Sequence, residues 1–169
     1  MGHRNVNTGR PYHELQQRLD REITGAPDSA VLQAILAILY RPREAHLAAR
    51  FPTGLEALPD LARRLDVDEN DINTLVDDMA PRGLILDMEL DGVRHAALSP
   101  VVIGFFEFTF MRTRNALPMQ RLADLFETYL NDRRFANTVF RNETQIGRAF
   151  VREEALGRPE RSEILDWER

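Results

Sequence analysis

Cysteine is absent from the 169 residues, and disulfides, thiolate metal sites and thiol nucleophiles are excluded with it. The absence fits a reducing compartment. Lysine is missing as well: all 22 basic residues are arginine. This reads as genome-composition bias, because a functional demand for the bidentate guanidinium fork would fall on a few positions rather than on all. Serine occurs only at Ser29, Ser99 and Ser162, never in the context of a nucleophile elbow. His3, His13, His46 and His95 are scattered, and no pair has the helical spacing, with a carboxylate nearby, that a metal site requires. No glycine-rich run follows a strand and opens a helix to cradle phosphate. No apolar stretch approaches the ~20 residues of a membrane span, and Met1 to Arg10 is polar rather than a leader core, so the expected location is the cytoplasm.

What is present is a globular balance, 43% hydrophobic and 29% charged with a net charge of -5, in a chain long enough for one domain and an extension. Apolar residues at Leu15, Leu19 and Ile23 share a stripe, predicting a short helix from Tyr12 to Ile23 that Gly25-Ala26-Pro27 ends. Asp28 or Ser29 caps a second helix, in which Val31, Leu32, Ile35, Leu36, Ile38 and Leu39 leave little polar face, so it belongs at the centre of the core. Pro42 opens a third through Ala45, Ala48 and Phe51, closed by Pro52-Thr53-Gly54.

From Leu55 to Ser99 the pattern is most specific. Leu58, Leu61, Ala62 and Leu65 stripe one helix. After Asp66-Val67-Asp68 a second begins, with Asp68 as its cap, Ile72, Leu75, Val76 and Met79 as its buried stripe, and Val67 as an apolar plug between the two. Leu84, Leu86, Met88 and Leu90 then alternate with Ile85, Asp87, Glu89 and Asp91 up to the turn dipeptide Asp91-Gly92. That turn sets the register: Leu90 opposite Val93, Glu89 opposite Arg94, Met88 opposite His95. The ion pair is expected on the solvent side and the apolar pairs on the inward face. Helix, turn, helix and hairpin in this order predict a winged helix-turn-helix.

Beyond Pro100 lies an aromatic run, Phe105, Phe106, Phe108 and Phe110, whose periodicity fits a strand or, the preferred reading, a helix. These four phenylalanines are read as packing between the wing and the helices that follow, and they are also the candidate contacts for a partner. Pro118 opens a helix with Leu122, Leu125, Phe126, Tyr129 and Leu130 on one face. Another piece holds Phe135, Val139 and Phe140, and 146–152 has the look of a short strand. The predicted class is therefore mostly helical with a small β-hairpin: an N-terminal arm and short helix over 1–27, a winged-helix domain over 28–99, an aromatic-rich helical extension packed on it over 100–157, and a polar tail over 158–169.

The charge pattern bears on function. Between Gly54 and Ser99 stand eleven acids, Glu56, Asp60, Asp66, Asp68, Glu69, Asp71, Asp77, Asp78, Asp87, Glu89 and Asp91, against Arg63, Arg64, Arg82 and Arg94. That span carries -7 and the rest of the chain +2. A groove-reading helix so charged, even with Asn70, Asn73 and Thr74 on it, repels a polyanion. The carboxylates are read as a solvated face and as partners of the helix dipole. Adjacent acids such as Asp77-Asp78 and Glu153-Glu154 point ~100° apart on a helix, which suits them poorly to shared acid-base work.

The order from Ser29 to Tyr40, through Pro42-Arg43-Glu44-Ala45, to Leu98-Ser99-Pro100-Val101-Val102-Ile103-Gly104-Phe105-Phe106-Glu107-Phe108-Thr109-Phe110-Met111 resembles the N-terminal region of four-iron, four-sulfur ferredoxin-type proteins. There a Pro-x-x-x-Gly-x-x-Glu-Phe segment precedes cysteine-rich cluster motifs. The resemblance covers about residues 28 to 169. It implies an accessory domain of an electron-transfer protein, with a 4Fe-4S cluster only in a C-terminal part beyond this chain, whose end at Asp166-Trp167-Glu168-Arg169 would suit a cut there. No position here corresponds to a cluster cysteine, so no cofactor is expected in this chain. The expected function is a noncatalytic interaction or accessory domain that meets a protein partner or a second copy, with no nucleic acid, membrane or small-molecule substrate. The alternative is a winged-helix DNA-binding regulator using Arg112, Arg114, Arg121, Arg133, Arg134 and Arg141.

Overall fold

The computed structural model describes residues 9–111 and 117–140, with only the backbone at Phe140. The predicted strand at 146–152 and the tail at 158–169 lie outside the described residues. Among the described residues the chain is mostly helical, with one small three-stranded antiparallel sheet.

Helix α1 (Arg10–Leu19) buries Leu15 and Leu19 completely. It stops four residues earlier than the stripe predicts, and Ile23 is 70% exposed. The local chemistry explains the difference. Asp20 turns its carboxylate to accept the Ala26 backbone N–H at 2.8 Å, and Gly25 takes a φ of +64°, so the chain bends before Ile23 can reach the core. Helix α2 (Ala30–Leu39) begins where the Ser29 hydroxyl accepts the Leu32 N–H at 3.0 Å. Its Leu32, Ile35, Leu36 and Leu39 are buried, as a central helix requires. Helix α3 (Pro42–Ala48) starts on Pro42 and packs chiefly on α1. Arg18, buried on α1, donates to the carbonyls of Phe51 and Pro52 and holds the exit of α3 against it.

Strand β1 (Glu56–Ala57) leads into helix α4 (Leu58–Leu65), which ends with Asp66 in the left-handed region at φ 57°. Val67 is half-buried between α4 and helix α5 (Glu69–Met79), whose Ile72, Val76 and Met79 are fully buried. Asp68 occupies the cap position but its side chain accepts no capping hydrogen bond, so its favourable contribution is its charge beside the helix dipole.

Strands β2 (Ile85–Leu90) and β3 (Val93–Leu98) pair in the register that the turn dictates, Leu90 with Val93, Glu89 with Arg94 and Met88 with His95. Asp91 and Gly92 have φ of 51° and 76°, the two positive values of a type I′ turn. The sheet order is β1-β3-β2, leaving β2 on an edge. The facing, however, is the reverse of the expectation. Ile85, Ala96 and Leu98 are the buried residues, and they share their face with Asp87, Glu89 and Arg94. The apolar set Leu86, Met88, Leu90 and Val93 is 39 to 49% exposed on the opposite face. The base of the hairpin orients it: small Ala96 lets the sheet approach the helical layer, and the outer half follows.

After Pro100, residues 101–105 form a wide turn rather than the preferred helix, with Val102 extended and Ile103 left-handed at φ 55°. Helix α6 (Phe106–Phe110) is short, and Glu107 reaches back to accept the Gly104 N–H at 2.8 Å. Helix α7 (Met119–Leu130) lies on α2, and helix α8 (Arg133–Phe140) returns Phe135 and Val139 to the core. The Tyr129 hydroxyl donates to the Pro27 carbonyl at 3.0 Å. One buried cluster thus runs from Leu15 to Val139, and the described part of the extension shares it.

Gly83, at φ +75°, separates α5 from the hairpin, and a Cβ there would stand 2.3 Å from the Cβ of Phe108. Gly92, at φ +76°, has nothing within 4 Å of the same point. Gly92→Ala is therefore expected to cost ~1 kcal/mol from backbone conformation alone. Gly83→Ala adds a clash with Phe108, for a total of about 3 kcal/mol or more. Urea denaturation of the two variants checks this, and equal losses would show that Phe108 moves aside freely.

Candidate interaction surface

The four phenylalanines of the aromatic run go to different places. Phe105 is completely buried, edge-on to Tyr40 with ring centroids 6.3 Å apart and tilted against Phe126 at 6.3 Å. It is core and offers nothing to a partner. Phe106 is half-buried, 4.9 Å from Phe126 and 5.7 Å from Phe110. Phe108 is half-buried over Gly83. Phe110 is 39% exposed, 5.7 Å from Phe126. Phe106, Phe110, Phe126 and Leu130 line an open groove of about 630 Å³ between α6 and α7, rimmed by Asp124 and Glu127.

Six of the eleven acids of the α4–α5–hairpin region are engaged by guanidinium groups. Arg43 reaches Asp71 at 3.0 Å, Arg41 reaches Asp78 at 2.5 Å, and Arg94 bridges Asp77 and Asp87 at 2.7 Å each. Arg64 holds Glu56 at 2.9 Å and Arg63 pairs with Asp60. Two of these cations, Arg41 and Arg43, come from the N-terminus of α3, ahead of the span that carries the net -7. Asp66, Asp68, Glu69, Glu89 and Asp91 have no ion pair among the described residues. Adjacent Asp77 and Asp78 diverge onto different arginines, as their helical spacing requires.

Of the three side chains on α5 that could meet bases, Asn70 is exposed and the other two bond to their own helix. Asn73 donates to the Glu69 carbonyl at 2.7 Å and Thr74 to the Asn70 carbonyl at 2.8 Å. Of the six arginines of the regulator reading, Arg112, Arg114 and Arg141 lie outside the described residues. Arg121 and Arg133 are exposed, and Arg134 is paired with Asp132 at 2.9 Å.

Sequence reasoning missed the buried polar corner behind α5. The Arg82 guanidinium donates to both oxygens of Glu44, at 2.8 and 2.9 Å, and to the Leu39 carbonyl, and it lies 3.5 Å from Asp78. Glu44, 5% exposed, also accepts the Arg41 backbone N–H at 2.7 Å. Only the spacing Arg41-Pro42-Arg43-Glu44, a carboxylate three residues past the helix cap, hints at it in the sequence.

Among the described residues no cluster of three or more His, Asp or Glu could hold a metal, and no helix is long and apolar enough to cross a membrane. The iron-sulfur cluster that the resemblance implies finds no thiolate anywhere in the chain, so these residues do not fit that group. No protein-family model, no curated protein and no solved structure matches the chain. The resemblance to ferredoxin-type proteins therefore rests on the quoted residues.

Burial pushes the Glu44 carboxyl up, but hydrogen bonds from the Arg82 side chain and the Arg41 backbone, with the two guanidinium charges, override it and hold Glu44 below the usual range. The stability so gained is present in full above the unfolded carboxyl pKa and is lost as pH falls through the lowered folded value. Glu44→Gln is accordingly expected to lose about 3 kcal/mol at pH 7, where it leaves the half-buried Arg82 with the Leu39 carbonyl and the 3.5 Å approach to Asp78 in place of a bidentate carboxylate. The gap from the wild type should shrink as the pH is taken below about 4. Urea unfolding across that range is the check, and a gap that stays constant into acid would refute the linkage.

Proposed function

We propose that residues 28–99 form a winged-helix domain acting as a noncatalytic protein-interaction module. The helical pair α4–α5, the three residues joining it, and the hairpin with its short third strand support the winged-helix reading. The observation that carries the functional reading is the state of the arginines. Around α5 the guanidinium groups of Arg41, Arg43, Arg82 and Arg94 are all turned onto carboxylates, while Glu69, Glu89 and Asp91 have no cation among the described residues. A DNA-reading face draws affinity from cations that displace counterions from phosphates, and among the described residues these four are already committed. The wing instead presents Leu86, Met88, Leu90 and Val93 to solvent, side chains that suit a protein surface. In the resemblance to ferredoxin-type proteins, the matching role is that of an accessory domain beside a cluster-bearing part.

One observation favours the DNA-binding regulator. Pairing of Asp71, Asp77 and Asp78 removes much of the repulsion that the net charge of the span suggests. Neutralisation alone supplies no phosphate contact, so the interaction module remains the better reading. Fluorescence anisotropy with a labelled duplex of about 20 base pairs at about 50 mM salt tests it. The expected result is no saturation at about 10 µM protein. Half-saturation below about 1 µM that weakens ~10³-fold by 200 mM salt would establish the regulator instead.

A further inference from the structure

The open edge of β2 is a strand-shaped site with its own selectivity. β2 has β3 on one side only, and among the described residues no other backbone group bonds to residues 86–90, all of which are exposed. The type I′ turn determines which groups are free. In a two-residue hairpin the residues flanking the turn exchange both hydrogen bonds, so Leu90, Met88 and Leu86 direct their N–H and C=O at β3. The Ser99 N–H, bonded to the Leu84 carbonyl at 3.1 Å, keeps the same alternation at the hairpin's base. Asp87 and Glu89 consequently direct their backbone N–H and C=O outward, at the open edge.

Side chains along this edge alternate with the same period. Leu86, Met88 and Leu90 stand on the outer face, and Asp87 and Glu89 on the other. At its lower end the edge runs into a groove of about 300 Å³ between Leu86 and Asp87 on one side and Phe108 and Met111 on the other. Met111 is 73% exposed there, so an added strand would find an apolar wall at its end.

A second copy is a poor occupant. Any antiparallel pairing of two β2 strands that keeps apolar beside apolar sets acid opposite acid: centred on Met88, Asp87 of each copy faces Glu89 of the other, and centred on Asp87, the two Asp87 residues face each other. Like charges directly opposite are destabilising. Asp87 is partly answered by Arg94, but Glu89 and Asp91 have no ion pair among the described residues, so the edge retains negative charge.

We infer that the β2 edge binds an extended peptide of alternating basic and apolar residues, which adds as a fourth strand. Its backbone bonds to Asp87 and Glu89, its cations lie across from their carboxylates, and its apolar residue lies across from Met88. The inference rests on reading the domain as a protein-interaction module, and the two fail separately: tight duplex binding overturns that reading, whereas the results below bear on the edge.

The probe is a capped peptide of about seven residues alternating arginine and valine. An alternating glutamate-valine peptide and a block-ordered arginine-valine peptide serve as controls. Amide hydrogen exchange by NMR on the full chain reads the site directly. Saturating probe should slow the Asp87 and Glu89 amides at least tenfold, and neither control should do so. Glu89→Pro removes an outward N–H without touching the β3 ladder and should weaken the probe at least tenfold. Glu89→Arg keeps the N–H and reverses the charge, and should favour the glutamate-valine peptide. Binding of the probe without slowed exchange at Asp87 and Glu89, equal binding of the block-ordered peptide, or unchanged affinity in both Glu89 variants would overturn the inference. So would no binding at about 1 mM probe, or a free protein that is already dimeric with those amides protected.

Discussion

The corner held by Arg82 is the constraint on which the rest of the molecule leans. Its guanidinium engages the last carbonyl of α2, both oxygens of Glu44 on α3 and, more distantly, Asp78 on α5. One side chain thereby sets three helices at a common point, immediately before Gly83 turns the chain into the hairpin. Glu44 is nearly inaccessible, so removing Arg82 would leave a buried carboxylate with only the Arg41 backbone N–H and the Arg41 guanidinium at 3.3 Å to answer it, a defect of ~3 kcal/mol. Phe108 rests on Gly83 from the other side, so the extension takes its position from the same corner. Such an arrangement needs a cation that stays charged when half-buried and offers several donors in a plane, which is what a guanidinium supplies and an ammonium does not.

Arginine does the same work elsewhere. Arg18 is buried against two carbonyls beyond α3, Arg50 donates to the carbonyls of Arg64 and Leu65 at the end of α4, and Arg94 fastens the hairpin to α5 through Asp77. A charge tally along the chain treats these cations as though they were at the surface and the acids as though they were bare. In the folded molecule six of the eleven acids between Gly54 and Ser99 are paired, while Asp66, Asp68, Glu69, Glu89 and Asp91 have no ion pair among the described residues. The proposal against phosphate binding rests on more than the tally, namely on guanidinium groups around α5 already turned onto carboxylates as well as on the acids left unpaired.

Local chemistry was legible in the sequence wherever it was sufficient by itself. Ser29, Pro42 and the Leu58 to Leu65 stripe mark helices close to where they lie, and Asp91-Gly92 sets the hairpin register residue by residue. Alternation, by contrast, shows that two strand faces differ without showing which one the helices cover. The more apolar face was the natural choice, yet Ile85, Ala96 and Leu98 at the base outweigh Leu86, Met88 and Leu90 at the tip. The wide turn at 101–105 and the burial of Phe105 depend on Tyr40 and Phe126, residues far away in the chain. The Arg82–Glu44 pair joins positions 38 apart, and nothing in either neighbourhood announces the other.

The inverted facing of the hairpin changes what its residues can be for. Leu86, Met88, Leu90 and Val93 contribute little to the core, so folding alone gives no reason for a hairpin so apolar on its open side. An exposed edge strand with such a face is an aggregation hazard unless something blocks it, and charges along the edge are a usual device. Here the blocking groups are acids, Asp87 and Glu89, alternating with the apolar side chains and placed at the two residues whose backbone groups point outward. The same arrangement that repels another copy leaves the edge open to a strand of opposite charge, so protection and selectivity come from one pattern rather than two.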